Sequence, residues 1–233
     1  MNNYKIVKIQ GIVRGFLYRI KHLPLILYKI KAFLQKSKLS LTSFVEDGRI
    51  NSSLDEKLVT NSLKKEFNQR IKIPKDRFWY DIQVYDKIYG WLPVNIKITT
   101  TKTSDNAGNL AICVQSYTNE ILDMNKTYDN NKMSEILFRK IQNKEYNKIY
   151  KKDYYFIVLN KLDNTEIIIN SVLGLNKLTP NSSNLPFQIK WNTNKEFCYN
   201  IINKKIKMLV DCLKKPKLSW QEHFMSNMRT LKI

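Results

Sequence analysis

The sequence predicts an α/β fold, a single domain in which helices flank a mixed central β-sheet. Segments with helical periodicity come before and after segments with strand-like alternation, and this order suits a sheet covered by helices. The chain has 233 residues, of which 43% are hydrophobic and 12% aromatic, so a sizeable core can form. We expect a basic helical segment over residues 1–45, a core over residues 46–215 and a C-terminal tail over residues 216–233.

Residues 4–38 combine apolar and basic side chains and contain no acid. Apolar residues recur at helical spacing before and after Pro24, which predicts two amphipathic helices. Charges interrupt the apolar runs too often for a membrane span, and we expect no signal peptide because no small-residue cleavage site follows an unbroken apolar core. Two interpretations remain open: helices that present cations to phosphate groups, which we favour, or a basic helix lying on a membrane.

The next helix is predicted to run from Leu54 to about Arg70. Its apolar stripe is formed by Val59, Leu63 and Phe67, and Glu56 points the same way. An acid on an apolar stripe has two interpretations. Glu56 is either part of a capping box with Ser53, or it faces a functional site. If the helix register shifts by one residue, Asp55 takes the place of Glu56 at that site.

Residues 78–99 predict a β-hairpin with a tight turn from Asp86 to Gly90. Alternation places Asp81 on one face of the first strand, whereas Ile82 and Val84 lie on the other face. Asn95 and Lys97 share a face of the second strand. An antiparallel neighbour therefore brings Asp81 close to both. An acid, a second oxygen ligand and a lysine on one face are groups that hydrolyse phosphodiesters with a metal ion.

The remaining chain predicts two helices, three strands and a basic amphipathic helix. Their ranges are Ala111–Leu122, Lys132–Tyr150, Tyr154–Leu159, Glu166–Val172, Phe187–Trp191 and Phe197–Leu213. Trp191 is expected in the core rather than as a platform for base stacking.

Forty Lys and Arg residues against twenty Asp and Glu residues give a formal charge of +20. A chain this basic is typical of proteins that bind nucleic acid, although abundant Lys, Asn and Ile also fit a bacterial AT-rich genome. Three scattered cysteines without metal-type spacing suit free thiols in a cytoplasm. Only two histidines are present, so carboxylates and lysine must carry any phosphodiester chemistry.

The hairpin resembles the core of the PD-(D/E)XK nuclease superfamily, with Asp81 as the first acid and Asn95-Ile96-Lys97 as the second half of the motif. The run PVNIKITTTKTSDNAGN is more narrowly similar to type II restriction endonucleases with Asn-x-Lys followed by an Asp-Asn loop. The resemblance covers residues 47–109. Asn95 departs from it, because most of the superfamily has a carboxylate there; an amide oxygen can still bind a hard cation but brings no charge.

The resemblance implies a restriction-endonuclease-like core with a catalytic set of Glu56, Asp81, Asn95 and Lys97. Mg²⁺ would be bound by Asp81, Glu56, the Asn95 oxygen and the backbone carbonyl of Ile96. Lys97 would orient the attacking water or offset charge on the transition state.

The polar loop after the hairpin has two evenly weighted interpretations, a plain exposed turn or a segment that contacts DNA next to the cleavage centre. The candidate DNA-binding residues are Thr99, Lys102, Ser104, Asp105, Asn106 and Asn109.

We therefore expect a Mg²⁺-dependent, sequence-specific endonuclease for double-stranded DNA, of the type II restriction class. Family analogy adds a homodimer and a cognate DNA methyltransferase in the same system, in the cytoplasm and away from membranes. The alternatives are a structure-specific repair or junction nuclease, a non-catalytic nucleic-acid-binding protein, and a membrane-surface protein anchored by residues 4–38.

Overall fold

The computed structural model describes residues 13, 22–37, 39–41, 48–75, 78–106, 108–148, 153–181 and 186–213. Its helices are α1 (Leu25–Ser37), α2 (Gly48–Phe67), α3 (Leu110–Tyr117), α4 (Asn130–Gln142) and α5 (Ile202–Leu213). Its strands are β1 (Ile71–Lys72), β2 (Ile82–Asp86), β3 (Gly90–Thr99), β4 (Ser104–Asp105), β5 (Tyr155–Asn160), β6 (Asp163–Ser171), β7 (Thr179–Pro180) and β8 (Phe187–Lys190).

A five-stranded sheet in the order β1-β2-β3-β5-β6 forms the centre of the molecule. Strands β3 and β5 pair in parallel, whereas the other neighbours pair antiparallel. The parallel pair requires a crossover, and the chain makes it with α3 and α4 between the two strands. The predicted α/β architecture with a mixed central sheet and flanking helices is thus confirmed.

The β2–β3 hairpin closes with the tight turn that the sequence predicted. Asp86 accepts hydrogen bonds from the backbone N–H groups of Ile88 at 2.8 Å and Tyr89 at 3.2 Å, which fixes the turn. Gly90 follows with a φ of +74°, a conformation that disfavours other residues. The turn sets the register in which Ile82 lies opposite Val94.

One face of the sheet is covered by α1 and α2. Leu27, Ile30 and Leu34 of α1 and Val59 and Leu63 of α2 are buried there. The sheet contributes every second residue of its strands to the same apolar layer, including Ile82, Val84, Val94, Ile96, Ile157 and Ile169. This face is closed by helix packing, and α1 corresponds to the second of the two predicted N-terminal helices.

The opposite face packs against α3, α4, α5 and a second sheet. Helix α3 is buried all round, and α4 and α5 contribute Leu137, Ile141, Ile206 and Leu209. Phe156, Val158 and Ile168 supply the layer from the central sheet. Asn95 and Lys97 lie on this face, because the parallel register sets them beside Phe156 and Val158.

The loop after β3 is not a plain turn. Its residues Ser104 and Asp105 form β4, which pairs with β8 in a second, three-stranded sheet of order β4-β8-β7. Trp191 follows β8 and is fully buried, as the sequence predicted.

Several helix ends differ from the prediction for local reasons. Helix α2 begins at Gly48, so Ser53 lies inside it and the proposed capping box is wrong. Helix α4 begins after Asp129, whose carboxylate accepts the N–H groups of Asn131 and Lys132, and it ends at Gln142. Lys144 has a positive φ of 56°, which stops the helix short of residue 150.

The other helices on the second face are also shorter than predicted. Helix α3 ends at Tyr117, and Thr118 then forms an isolated β-bridge with Tyr146. Helix α5 begins at Ile202 rather than Phe197, since the N–H of Cys198 donates to the carbonyl of Gly174 at 2.8 Å.

The first predicted N-terminal helix, apart from residue 13, and the C-terminal tail fall outside the described residues. Among the helices that are described, none has both the length and the hydropathy needed to cross a lipid bilayer.

Candidate active site

Asp81, Asn95 and Lys97 come together at the end of the hairpin, where β2 begins. Ile82, the first residue of β2, pairs with Val94, and Asp81 precedes the strand beside this end of β3. The N–H of Asp81 donates to the carbonyl of Val94 at 3.0 Å, which ties the acid to β3. Side chains directly opposite in an antiparallel pair have Cβ atoms about 5 Å apart.

The Asp81 carboxylate is half-buried, and nearby groups of the protein compensate only part of the cost of burying its charge. Its Oδ2 accepts the backbone N–H of Ile96 at 2.7 Å. Burial raises the pKa of Asp81 above its ordinary value, and the charge of Lys97 and the Ile96 N–H oppose that rise. The desolvation outweighs both, so an added cation at this position would stabilise the ionised acid.

The same hydrogen bond shows where the backbone of Ile96 points. The N–H and C=O groups of one strand residue leave the strand on the same side. Since the Ile96 N–H reaches Asp81 at the edge where β2 has not yet begun, the Ile96 carbonyl is directed to the same edge.

Asn95 presents an oxygen without a protein partner. Its Oδ1 is buried and accepts no hydrogen bond within the described structure. The side chain lies beside the hydroxyl of Tyr154, which donates to the Trp79 carbonyl at 2.8 Å. Burial raises the pKa of Tyr154 well above its ordinary value, the Asp81 charge adds to the rise, and the Asn95 contact opposes it. An orphaned buried acceptor is costly, and a bound cation would satisfy it.

Of the two neighbouring acids of α2, Asp55 rather than Glu56 lies on the buried face of the helix. The buried stripe follows positions four apart, so Asp55, Val59 and Leu63 share it, and Asp55 is only 1% exposed. Asp55 forms an ion pair with Lys161 at 3.7 Å. The prediction that Glu56 lies on the apolar stripe is therefore wrong, because Glu56 is half-buried at its border.

Glu56 nonetheless lies beside the hairpin acid. A cavity of about 440 Å³ is lined by both Glu56 and Asp81, together with the rings of Phe78 and Tyr80. Two lysines, Lys57 and Lys75, line the same cavity. The cavity thus joins two carboxylates to a basic and aromatic wall at the open end of the hairpin.

A second carboxylate, that of Asp105 in the loop, lies within electrostatic range of Lys97. Asp105 accepts the indole N–H of Trp191 at 2.5 Å and the hydroxyl of Thr99 at 3.3 Å. Burial raises the pKa of Asp105, whereas the Trp191 hydrogen bond, the Lys97 charge and the Thr99 hydrogen bond oppose the rise. The ammonium of Lys97 therefore acts electrostatically on both Asp81 and Asp105.

The loop residues predicted to contact DNA have different surroundings. Lys102 is exposed, and Ser104 is half-buried in β4. Asn106 is exposed and accepts a hydrogen bond from Gln188 at 2.9 Å. Asn109 caps α3, because its side chain accepts the N–H of Ile112 at 2.8 Å. Within this loop, the carboxylate of Asp105 is directed into the fold.

The donor set fits a hard cation. In the described part of the chain, no three or more His, Cys, Asp or Glu side chains form a metal-binding group. The predicted oxygen donors are of mixed type: the carboxylates of Glu56 and Asp81, which line the cavity, and the orphaned amide oxygen of Asn95 and the carbonyl of Ile96, which are not among its lining residues. Oxygen donors of this kind suit Mg²⁺, with water completing the shell.

Sequence reasoning missed two residues at this site, Tyr154 and Trp191 in its contact with Asp105. Phe156 and Val158 lie beside Asn95 and Lys97, and Tyr154 points to the same face because side chains alternate along a strand. The position of Tyr154 could therefore have been predicted once the register of β5 was known. Trp191 gave no such signal, because β8 lies about 90 residues from the hairpin.

No protein-family model matches this chain, and no curated protein matches it significantly.

Proposed function

We propose that the protein is a Mg²⁺-dependent endonuclease that hydrolyses double-stranded DNA at specific sequences, in the manner of type II restriction enzymes. The observation that carries the proposal is that Asp81, on which the charge of Lys97 acts, lies beside the stretch of β3 that carries the unpartnered oxygen of Asn95 and lines a cavity that Glu56 also lines. An under-compensated acid, an orphaned acceptor and a nearby cation form a constellation that structural needs alone do not explain.

The charge of the chain supports a polyanionic substrate. A formal charge of +20 attracts DNA over long range, and the lysines beside the cavity place cations near the acids. The exposed Lys102 and Asn106 on the following loop are available for phosphate and base contacts.

Glu56, Asp81, the Asn95 oxygen and the Ile96 carbonyl would hold Mg²⁺. When bound, this ion polarises the scissile phosphate and supplies a water of lowered pKa as the nucleophile. Lys97 orients that water or offsets the charge that builds on the phosphorus oxygens in the transition state. Tyr154 holds the Asn95 side chain in place, and the Ile96 N–H orients the Asp81 carboxylate.

Two further properties belong to the proposal by analogy. A homodimer suits the reading of a short palindrome, since symmetric sites match symmetric proteins. A DNA methyltransferase of the same system would protect the host chromosome without contacting this chain.

Cleavage by the purified protein and by Lys97→Ala tests the proposal. Unmethylated phage DNA with Mg²⁺ should give discrete bands, and Lys97→Ala should lose at least about 10³-fold in cleavage rate because its charge stabilisation is lost. DNA binding in Ca²⁺ should remain within about threefold, since one cation among forty Lys and Arg residues contributes little to it. Lys126→Ala is the matched control, an exposed lysine whose partner is Asp123.

Other outcomes distinguish the alternatives. Full activity of Lys97→Ala removes this residue from the mechanism. Cleavage confined to forks or junctions indicates a structure-specific nuclease. Binding that is equal in Mg²⁺ and Ca²⁺, without any cleavage, indicates a non-catalytic DNA-binding protein.

A further inference from the structure

Lys72, Tyr85 and Trp91 form a cluster on three neighbouring strands at the turn end of the β2–β3 hairpin. Tyr85 pairs with Trp91 across the hairpin, and their rings meet edge-on with centroids 5.3 Å apart. Lys72 of the edge strand β1 places its ammonium 4.0 Å from the centroid of the Trp91 ring. An ammonium over an indole is attracted to the ring and still has N–H groups for an anion, so the cluster offers a cation that is held in place.

Further cations surround a cavity of about 310 Å³ beside Tyr85. Lys29 of α1, Arg70 before β1 and Lys87 in the hairpin turn line this cavity. All three are exposed, and neither they nor Lys72 form an ion pair among the residues that the structure describes. Neighbouring cations without an acidic partner repel one another, so a bound anion would stabilise this end of the molecule.

The acid beside these cations is engaged by the backbone. Asp86 lines the cavity but is buried, and its Oδ1 accepts the N–H groups of Ile88 at 2.8 Å and Tyr89 at 3.2 Å. Its Oδ2 accepts the N–H of Ile26 at 3.4 Å. The surface therefore has an excess of positive charge, which is complementary to a polyanion.

The cluster shares a face of the sheet with the candidate site. Trp91, Asn95 and Lys97 alternate along β3 with residues that are buried against α1 and α2. The four residues from Trp91 to Asn95 span about 14 Å of strand, which is the length of about four base pairs of duplex DNA. A duplex bound at the candidate site can therefore also reach the cluster.

An anionic membrane is the competing occupant, since Leu25 and Ile88 at the rim of the cavity are 64% and 66% exposed. A helix that lies on a membrane needs a free apolar face, however, and α1 buries Leu27, Ile30 and Leu34 on the sheet. A phosphate backbone requires only exposed cations, which this surface has. The packing of α1 therefore favours nucleic acid over lipid.

We propose that the turn-end surface, formed by Arg70, Lys72, Tyr85, Lys87 and Trp91, binds the phosphate backbone of DNA on one side of the candidate site. The three cations contact phosphates, and the Trp91 ring holds the Lys72 ammonium in place. The relation of this surface to cleavage rests on the function proposed above, whereas DNA binding itself does not.

Removal of the three cations tests the surface. Arg70→Gln, Lys72→Gln and Lys87→Gln are combined in one variant, and binding of a random-sequence duplex of about 40 base pairs is measured in Ca²⁺ by fluorescence anisotropy. Affinity should fall at least about tenfold near 0.1 M salt. The slope of log K against log salt should become shallower by about 2–3, close to one for each phosphate contact that is lost.

A matched variant controls for net charge. Lys126→Gln, Lys132→Gln and Lys144→Gln together remove the same charge from exposed positions outside the turn-end surface. This variant should bind the duplex within about twofold of the wild type, with a nearly unchanged salt slope. Equal losses in the two triple variants overturn the proposal, because they would show attraction by net charge without a localised contact.

Vesicles of phosphatidylcholine with about 30% phosphatidylserine test the competing occupant. The wild type should bind these vesicles no more tightly than the variant that lacks the three cations, and Ile88→Ser should leave DNA affinity unchanged. Vesicle binding that is lost in both variants, with DNA affinity unchanged in both, assigns the surface to lipid and overturns the proposal.

Cleavage relates the surface to the candidate site. In the variant lacking the three cations, the DNA concentration at half-maximal rate should rise at least about tenfold while the rate at saturating DNA stays within about twofold. A fall in the saturating rate alone, with DNA binding unchanged, refutes the binding role. If the wild type cuts no DNA, the proposed function fails, while the binding comparison in Ca²⁺ still decides whether this surface holds DNA.

Discussion

Asn95→Asp is expected to make the protein less stable without metal and to tighten its binding of Mg²⁺. The new carboxylate would lie next to Ile96, whose N–H donates to Asp81, and side chains on neighbouring strands lie about 5 Å apart. With an effective dielectric constant of about 20, two negative charges at that distance repel by about 3 kcal/mol. In a domain of this size the thermal midpoint should fall by roughly 6–12 °C.

Mg²⁺ should reverse the effect, because a divalent ion between the two acids turns their repulsion into joint attraction. An additional stabilisation of about 2–3 kcal/mol in the bound state corresponds to an affinity about 30- to 150-fold higher. Thermal unfolding with EDTA and with Mg²⁺, together with calorimetric titration, measures both quantities. Asn106→Asp is the control, since it adds the same charge to an exposed side chain in the following loop. A change in Mg²⁺ affinity below about twofold in Asn95→Asp would refute the assignment of Asn95 as a ligand.

Three further predictions concern other acids. Asp55→Ala should destabilise the fold by about 2–4 kcal/mol in urea denaturation, because it leaves Lys161 without its buried partner, while the activity per folded molecule stays unchanged. Glu56→Gln should leave stability within about 0.5 kcal/mol but weaken Mg²⁺ binding, and the opposite pattern would reverse the roles of the two residues. Burial raises the pKa of Asp153 from its ordinary 3.8 to about 6, so its contribution to stability is present below pH 4 and is lost as the pH rises to about 6. Asp153→Asn should flatten this part of the stability profile, and an unchanged slope between pH 4 and pH 6.5 would count against the buried acid as its source.

The hairpin and its polar face were predictable because their signals are local. A tight turn needs Asp86 and a glycine at positive φ, and the turn then fixes which residues meet across the strands. Strict alternation does the rest, so Asn95 and Lys97 share a face of β3 as the sequence predicted. The core strand β5 was equally clear, since a run buried on both faces is apolar throughout.

The acids of α2 show where periodicity loses resolution. Asp55 and Glu56 are 100° apart on a helix, and an apolar stripe is broad enough to include either. The choice depends on Lys161, which lies just after β5 and forms an ion pair with Asp55. A charge pair formed over more than 100 residues leaves no mark in the local pattern.

The place of Asp105 was hidden for a related reason. Small polar residues over positions 99–109 are typical of an exposed loop, and two of them do lie at the surface. Pairing of β4 with the distant β8 turns the Asp105 carboxylate inward, where Trp191 and Thr99 hold it. Composition describes the loop on average, whereas a pairing of two residues per strand decides the direction of this one side chain.

The two departures at the site, an amide at position 95 and an inward acid at position 105, are electrostatically linked. A carboxylate at position 95 would share with Lys97 the face of β3 that meets Asp81, and would supply a close partner for the ammonium. With asparagine at position 95, the acids on which the Lys97 charge acts are Asp81, which would also bind the metal, and Asp105. It follows that Asp105→Asn should be less harmful when combined with Asn95→Asp than alone, and strictly additive losses in this double-mutant cycle would show the two positions to be independent.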